Sequence, residues 1–365
     1  MCSPRSKLDG PASLKVCFLA GNNRTPHCGV KDYAYRLASA LEERGIEAQV
    51  HAPADWKLTT FLKLRRDLQA ARFDILHVQY PSIGFRYSLF PHIAGLTRIA
   101  PSTCVTLHEY SRLPQMQKLS THLFALSTRL ILFTTAEERT LFSGRKSDDS
   151  APRHVIPIGS NVPETPASDP IQSDVLYFGQ IRPDKGIEAF LELARLSVKA
   201  DVAIRFQIIG ACVPRHQEYL QFLQISTPAN VEWILGAPLA EVGVRMSSAL
   251  AAYLPFPDGA SYSRGSLIGA LVNSLPVIST CSAATPEPLA RVILRADNPK
   301  NALAHIRALQ NSPALRLEVA TASCSLGKQF SWASVAEAHH GLYDRLRASK
   351  RSPNELPVPN AVIHK

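Results

Sequence analysis

Val175-Leu176-Tyr177-Phe178-Gly179-Gln180-Ile181-Arg182-Pro183-Asp184-Lys185-Gly186 runs from four apolar residues through a polar turn into a second apolar pattern, Glu188–Ser197. A short apolar run bounded by turn residues reads as a buried strand, and the pattern after it has helical spacing. Gly179 permits a tight exit from the strand. Arg182 and Lys185 lie three apart, so both can converge on one anion near the helix start. Backbone amides and the helix dipole favour a phosphate there. A solvated basic turn would show the same spacing.

A second strand-to-helix junction repeats the arrangement further along. Ala249–Leu254 is a strand, and Pro255-Phe256-Pro257-Asp258-Gly259-Ala260-Ser261-Tyr262-Ser263-Arg264-Gly265-Ser266-Leu267 leads into a helix over Leu267–Asn273. Gly265 and Ser266 would present bare amides at that helix start, with Arg264 adding charge. An ordinary capped helix start is the plainer reading of this segment alone. Two such junctions in one domain make a diphosphate pocket more credible than either does singly.

Outward from these junctions the chain alternates strand and helix. In the second half, Ile204–Ile209, Val231–Leu235 and Val277–Ser279 are further strands, with helices over Gln217–Leu223 and Leu239–Ser248. In the first half, Lys15–Ala20, Ile46–His51, Asp74–Gln79, Thr103–Leu107 and Leu130–Thr134 are strands. Gly21–Val30 is a glycine-bearing loop, and Lys31–Arg44 is a helix that places Tyr33, Leu37, Ala40 and Leu41 on one face before Gly45 stops it. Between the halves, Ile158–Ser173 carries three prolines and reads as a linker. This is an α/β chain of two Rossmann-like doubly wound domains facing a central cleft, where ligands sit at strand C-terminal ends. The expected divisions are 1–165, 166–330, a helix over 331–348 that returns to the first domain, and a disordered tail at 349–365.

Composition narrows the classes. A chain of 365 residues with 45% apolar content can fill two cores. No apolar run approaches the roughly 18 residues of a spanning helix, and Met1–Ala12 lacks a signal-type hydrophobic stretch, so a cytoplasmic protein is expected. Seven scattered cysteines with no Cys-x-x-Cys pair argue against a disulfide framework and a zinc site. Net charge is +10, and residues 1–165 hold 21 basic against 14 acidic residues, so an anionic partner is favoured. Lys57–Arg72 reads as a basic amphipathic helix carrying Lys57, Lys63, Arg65, Arg66 and Arg72 with Leu58, Phe61, Leu62 and Leu68. It either covers the core with a solvated face or touches an anionic membrane bearing a lipid-linked acceptor. Nucleic acid is disfavoured, because neither aromatic-basic interleaving nor a helix-turn-helix pattern is present.

Cys28-Gly29-Val30-Lys31-Asp32-Tyr33, His77-Val78-Gln79-Tyr80-Pro81, Thr106-Leu107-His108-Glu109, Ile156-Pro157-Ile158-Gly159-Ser160-Asn161, Phe178–Gly186, Leu275-Pro276-Val277-Ile278-Ser279-Thr280, Thr285-Pro286-Glu287 and Phe330-Ser331-Trp332 form an ordered set. In order and spacing this set resembles glycosyltransferase family 4, of the GT-B fold. The resemblance implies a retaining, metal-independent transferase. It would move a sugar from a nucleoside-diphosphate donor to a glycan, a lipid-linked saccharide or a small molecule, with no other cofactor. Arg182 and Lys185 would stabilise the leaving diphosphate, and His108 would orient the sugar at the reacting centre. Gly29, Gly179, Arg264, Gly265, Ser266 and Leu267 would line the donor; Gln79, Tyr80 and Glu109 would line the acceptor. Asp32 reads as a charge in the first helical turn rather than a catalyst. Many family members carry two glutamates eight positions apart, and here the matching positions are Ser261 and Gly269. That departure keeps a non-catalytic, donor-binding relative in contention. A sugar-nucleotide epimerase of the same fold is a further rival.

Overall fold

The computed structural model describes residues 13–22, 28–85, 88–97, 99–143, 151–166 and 173–348. The tail at 349–365, the segment 1–12 and residues 23–27 of the first loop lie outside the described residues. The chain divides into two units, 1–158 with 332–365, and 159–331.

In chain order the first unit contains β1 (Lys15–Leu19), α1 (Gly29–Glu42), β2 (Glu47–His51), α2 (Leu58–Ala71), β3 (Ile75–Tyr80), α3 (Phe90–Ile93), β4 (Ser102–Leu107), α4 (Gln115–Thr121), α5 (Leu123–Ser127), β5 (Leu130–Phe133), α6 (Ala136–Ser143) and β6 (Arg153–Val155). The second contains β7 (Asp174–Phe178), α7 (Ile187–Lys199), β8 (Arg205–Gly210), α8 (Gln217–Ile225), β9 (Val231–Leu235), α9 (Leu239–Ser248), β10 (Ala251–Leu254), α10 (Gly265–Val272), β11 (Val277–Ser279), α11 (Glu287–Val292), β12 (Leu294–Arg295), α12 (Pro299–Asn311) and α13 (Pro313–Gly327). The last helix, α14 (Trp332–Ala348), belongs to the first unit.

Among the described residues each sheet has six strands, and its strands pair in parallel. The first runs β2-β1-β3-β4-β5-β6, so its order reverses between β1 and β3. The second runs β12-β11-β10-β7-β8-β9, so its order reverses between β7 and β10. In open α/β sheets, crossover helices leave opposite faces at such a reversal, and a crevice opens beyond the strand ends. The two polar junctions singled out in the sequence follow β7 and β10, the two strands flanking the second reversal.

Strand periodicity explains how the first sheet is covered on both faces. Val16 and Phe18 of β1 point to one core with Tyr33, Leu37 and Leu41 of α1 and Val335, Leu342 and Leu346 of α14. Cys17 and Leu19 point to the other, with Phe61, Leu68, Phe124, Phe133 and Phe142. In the second unit α12 packs on α7, and α10 packs on α13, where Gly327 approaches the Leu271 carbonyl too closely to admit a side chain.

The division between units falls at 158/159 rather than 165/166. The stretch read as linker is partly built into the second unit: Ser160 donates its amide to the Phe330 carbonyl (2.8 Å), and Thr165 donates to Asn273 Oδ1 (2.9 Å). Strands β6 and β12 were not legible as strands, because three and two residues make no periodic pattern. Among the described residues no helix is long and apolar enough to cross a membrane.

Candidate functional site

The β7 junction is held open by its backbone. Gly179 donates to the Ile209 carbonyl (3.1 Å) and Ile181 to the Ala211 carbonyl (3.0 Å), so the chain stays in register with β8 past the end of β7. It then turns through Asp184 (φ +63) and Gly186 (φ +76) into α7. Gly186 is glycine for two reasons: its φ is left-handed, and a Cβ there would lie 2.0 Å from the Pro255 carbonyl oxygen. That contact presses the start of α7 against the segment leaving β10, so the two junctions form one surface.

Arginines converge on it. Tyr177, on β7, donates its hydroxyl to the Lys185 carbonyl (3.2 Å). Burial raises the Tyr177 pKa, with Glu188 adding to the rise, while Arg182 and Arg264 both act on it in the opposite direction. The two arginines, 82 positions apart in the chain, sit on the two junctions that meet where Gly186 abuts Pro255. Each has a buried Nε with no hydrogen-bond partner. Arg264 is held from the other side by an ion pair to Asp258 and by stacking over Phe256, with its Cζ 5.0 Å from the ring centroid. An unpaired buried N–H on a fixed cation costs about 1–3 kcal/mol or more, a cost that an anionic ligand would remove.

Both helix starts add donors. The N-cap of α7 is Gly186 and that of α10 is Arg264, and neither supplies a side-chain cap. Their first-turn amides thus have no capping oxygen of the kind Ser, Thr, Asp or Asn provides. Gly265 opens α10 with nothing within 4 Å of where a Cβ would stand. Its φ is not left-handed, so its backbone angles do not demand glycine; what the missing side chain leaves is open space above the amides. Ser266 is half-buried beside it. Leu267 is fully buried, so only its amide could meet a ligand. Gly179 is half-buried, 3.2 Å from Tyr177 Oη by its hypothetical Cβ.

The two positions matching the missing glutamates diverge. Ser261 is half-buried and hydrogen-bonds Ser263 (2.9 Å). Gly269 is buried, and a Cβ there would lie 2.8 Å from Val162 Cγ2, so no carboxylate side chain fits in this packing.

In the first unit, β1 and β3 flank the order reversal. Gly29 starts α1, exposed and with open space around it, and the N-cap Cys28 gives no side-chain cap. Asp32 sits in that first turn. Gln79 and His108 end β3 and β4 side by side, with His108 Nε2 2.9 Å from Gln79 Oε1. With the amide so oriented, Nε2 carries the proton and Nδ1 is left as an acceptor. His108 is only 5% exposed, lies 4.9 Å edge-on to Tyr33, and is pushed down to about 3 by burial and then by His339. It is a buried, neutral imidazole. Gln79 Nε2 and Tyr33 Oη are buried without partners beside it. Tyr80 turns the other way, 3% exposed among Phe85, His92 and Phe124, which gives it a packing role in place of the expected acceptor contact. Glu109 is exposed, has φ +49 and pairs with Arg112 (3.1 Å).

Sequence reasoning missed Tyr177 and the buried cluster behind His108. There His77 bridges Tyr343 Oη (2.6 Å) and Thr106 Oγ1 (2.7 Å), and His339 lies with its ring 5.6 Å from His77. The returning helix supplies Tyr343 and His339, and no short-range pattern could have paired them with β3. Among the described residues no cluster of three or more His, Cys, Asp or Glu could hold a metal.

No protein-family model matches the chain, and no curated protein matches it. Solved structures do. A glycosyltransferase from Rickettsia africae superposes with a TM-score of 0.66 at 11% identity, over 92% of this chain and 99% of that one. HepE of Anabaena, solved with UDP and glucose, gives 0.63 at 12% identity over 91% and 99%. AviGT4, a glycosyltransferase of avilamycin A biosynthesis, gives 0.58 at 19% identity over 92% and 98%. At these identities the likeness is one of fold: the chain has the two-unit α/β architecture of the GT-B glycosyltransferases.

Proposed function

We propose that the protein is a retaining, metal-independent glycosyltransferase of family 4 type, with the second unit binding a nucleoside-diphosphate sugar and the first binding the acceptor. The observation that carries this reading is the pair Arg182 and Arg264, each with an unpartnered buried Nε, on the junctions after β7 and β10 that meet at Gly186 and Pro255. Lys185 and the uncapped starts of α7 and α10 complete a surface for two phosphates. As the glycosidic bond breaks, charge grows on the leaving diphosphate. Fixed cations and amides lower the barrier by meeting that charge without reorganising. A same-face displacement lets the leaving phosphate oxygen take the acceptor proton, so no side-chain base is required. A neutral His108 suits this scheme, since its Nδ1 can accept a hydrogen bond from a sugar hydroxyl while Gln79 fixes the ring. UDP and glucose in the HepE structure support a nucleotide-sugar donor.

A second reading has its own support: Gly269 leaves no room for one of the two carboxylates common in the family, which fits a donor-binding relative that transfers nothing. A thermal-shift screen of UDP, GDP, ADP and dTDP should find one nucleotide that stabilises strongly. Hydrolysis or transfer of the matching sugar donor, persisting in excess chelator, then separates the readings. Binding without turnover favours the second, and restoration of activity only by added manganese or magnesium removes metal independence.

A further inference from the structure

The two faces of the first sheet differ in what they show to solvent. On the face covered by α1 and α14, Tyr35 is the one exposed large apolar side chain among the described residues. The helices on the opposite face carry a series of them. Leu58 and Leu62 of α2 are 57% and 47% exposed, Leu96 is 62% exposed, and Met116, Leu119 and Leu126 of α4 and α5 are more exposed still. These side chains are not scattered. Leu58, Leu62, Arg65 and Gln69 fall on one stripe of α2, and Arg65 (3.1 Å) and Gln69 (3.4 Å) donate to the Thr97 carbonyl, next to Leu96. On the other side of that turn, Gly95 presses on the Ser127 carbonyl at the end of α5, beside Leu126. Phe61 and Phe90 stack beneath, joining α2 to α3 (4.6 Å between ring centroids).

Of the four apolar residues read on α2 in the sequence, Phe61 and Leu68 enter the core, whereas Leu58 and Leu62 do not. The exposed pair lies among Lys57, Lys63 and Arg66, and residues 57–72 hold five basic side chains against the single acid Asp67. Leucines at this exposure lose apolar contact with nothing in return. A surface that accepts both leucine side chains and clustered cations is the interface of an anionic bilayer, where apolar groups enter below the headgroups and basic ones meet them.

We infer that the α2–α3–α4–α5 face is a docking surface for an anionic lipid membrane. The inference is independent of the sugar-transfer reading. Its test is cosedimentation of the full chain with vesicles of phosphatidylcholine and phosphatidylglycerol in equal parts, beside vesicles of phosphatidylcholine alone. The parent should bind the mixed vesicles, and far more weakly the neutral ones. Each basic side chain near an anionic surface contributes roughly a fivefold factor, so Lys63→Ala with Arg66→Ala should weaken binding about 25-fold. Leu58→Ser with Leu62→Ser should weaken it by a similar factor at unchanged charge, while Tyr35→Ser on the other face should leave it unaltered. All these side chains are exposed, so unchanged melting temperatures check the fold. Equal binding by parent and both double variants overturns the inference. So does failure of the parent to bind mixed vesicles. A larger oligomer that the leucine variants dissolve, with no vesicle binding, would assign the face to a second copy of the chain instead.

Discussion

Acidification should unfold the first unit from its centre. His108 and His339 are buried, with pKa values pushed down by burial to about 3 and about 4, and burial holds His77 well below its ordinary range as well. Unfolded, each imidazole titrates near 6.5. Between those values the unfolded chain binds more protons than the folded one. Stability is therefore complete above about pH 6.5 and is lost as pH falls toward the folded values. At about pH 5 the gap already used is about 1.5 units, or about 2 kcal/mol for each histidine. His108 and His339 together contribute about 4 kcal/mol, a large part of the 5–15 kcal/mol typical of a domain. Protonation also has nowhere to place a second charge, because His77, His108 and His339 lie close enough to depress one another. The assay is urea unfolding followed by tryptophan fluorescence in Trp233→Phe, which leaves Trp56 and Trp332, both in the first unit. The midpoint should drop steeply between about pH 7 and about pH 5. His339→Leu should lose about 2 kcal/mol of that dependence, since one titrating group is gone. Equal midpoints at the two pH values, or a His339→Leu protein with the full dependence, would refute the reasoning.

Three substitutions probe the strand-end geometry. Gly186→Val forces a side chain against the Pro255 carbonyl at a left-handed φ, so it should destabilise the second unit by roughly 2–4 kcal/mol, read as a lowered melting temperature. Gly265→Ala should melt like the parent, because nothing lies within 4 Å of the new methyl group, yet it should bind nucleoside diphosphate roughly tenfold more weakly or worse; unchanged affinity would make that loop an ordinary helix start. His108→Ala should lower turnover by roughly two to three orders of magnitude with nucleotide affinity nearly unchanged, as expected for a group acting mainly in the transition state. Parent-like turnover in a folded His108→Ala protein would reduce the residue to core packing.

The fold was legible wherever a strand was long enough to show its pattern. Val231–Leu235, Val277–Ser279 and Leu239–Ser248 fall where their periodicity puts them, and most other elements shift by one or two residues at their ends. Strand order was not legible, because it depends on pairings such as Ala251 with Val175, which no local pattern encodes. Yet the order is what converts two separate basic turns into one surface. For the site, the motif around Arg182 and Lys185 and the glycine loop before α10 were visible as residue types at junctions. The orientation of Tyr80 was not legible, because a strand end near a crevice still alternates inward and outward side chains, and Tyr80 points inward. The cluster of His77, His339 and Tyr343 joins positions up to 266 residues apart, so only the folded chain reveals it.

The account rests on the claim that the β7 and β10 junctions hold a diphosphate, and calorimetry tests it most directly. The nucleoside diphosphate found by thermal shift should be titrated into the parent, Arg182→Ala, Lys185→Ala and Arg264→Ala. The parent should bind the diphosphate more tightly than the matching nucleoside, and each variant should lose roughly 1.5–3 kcal/mol, the scale of one hydrogen bond to a charged group. Diphosphate affinity equal in the parent and all three variants would contradict the account.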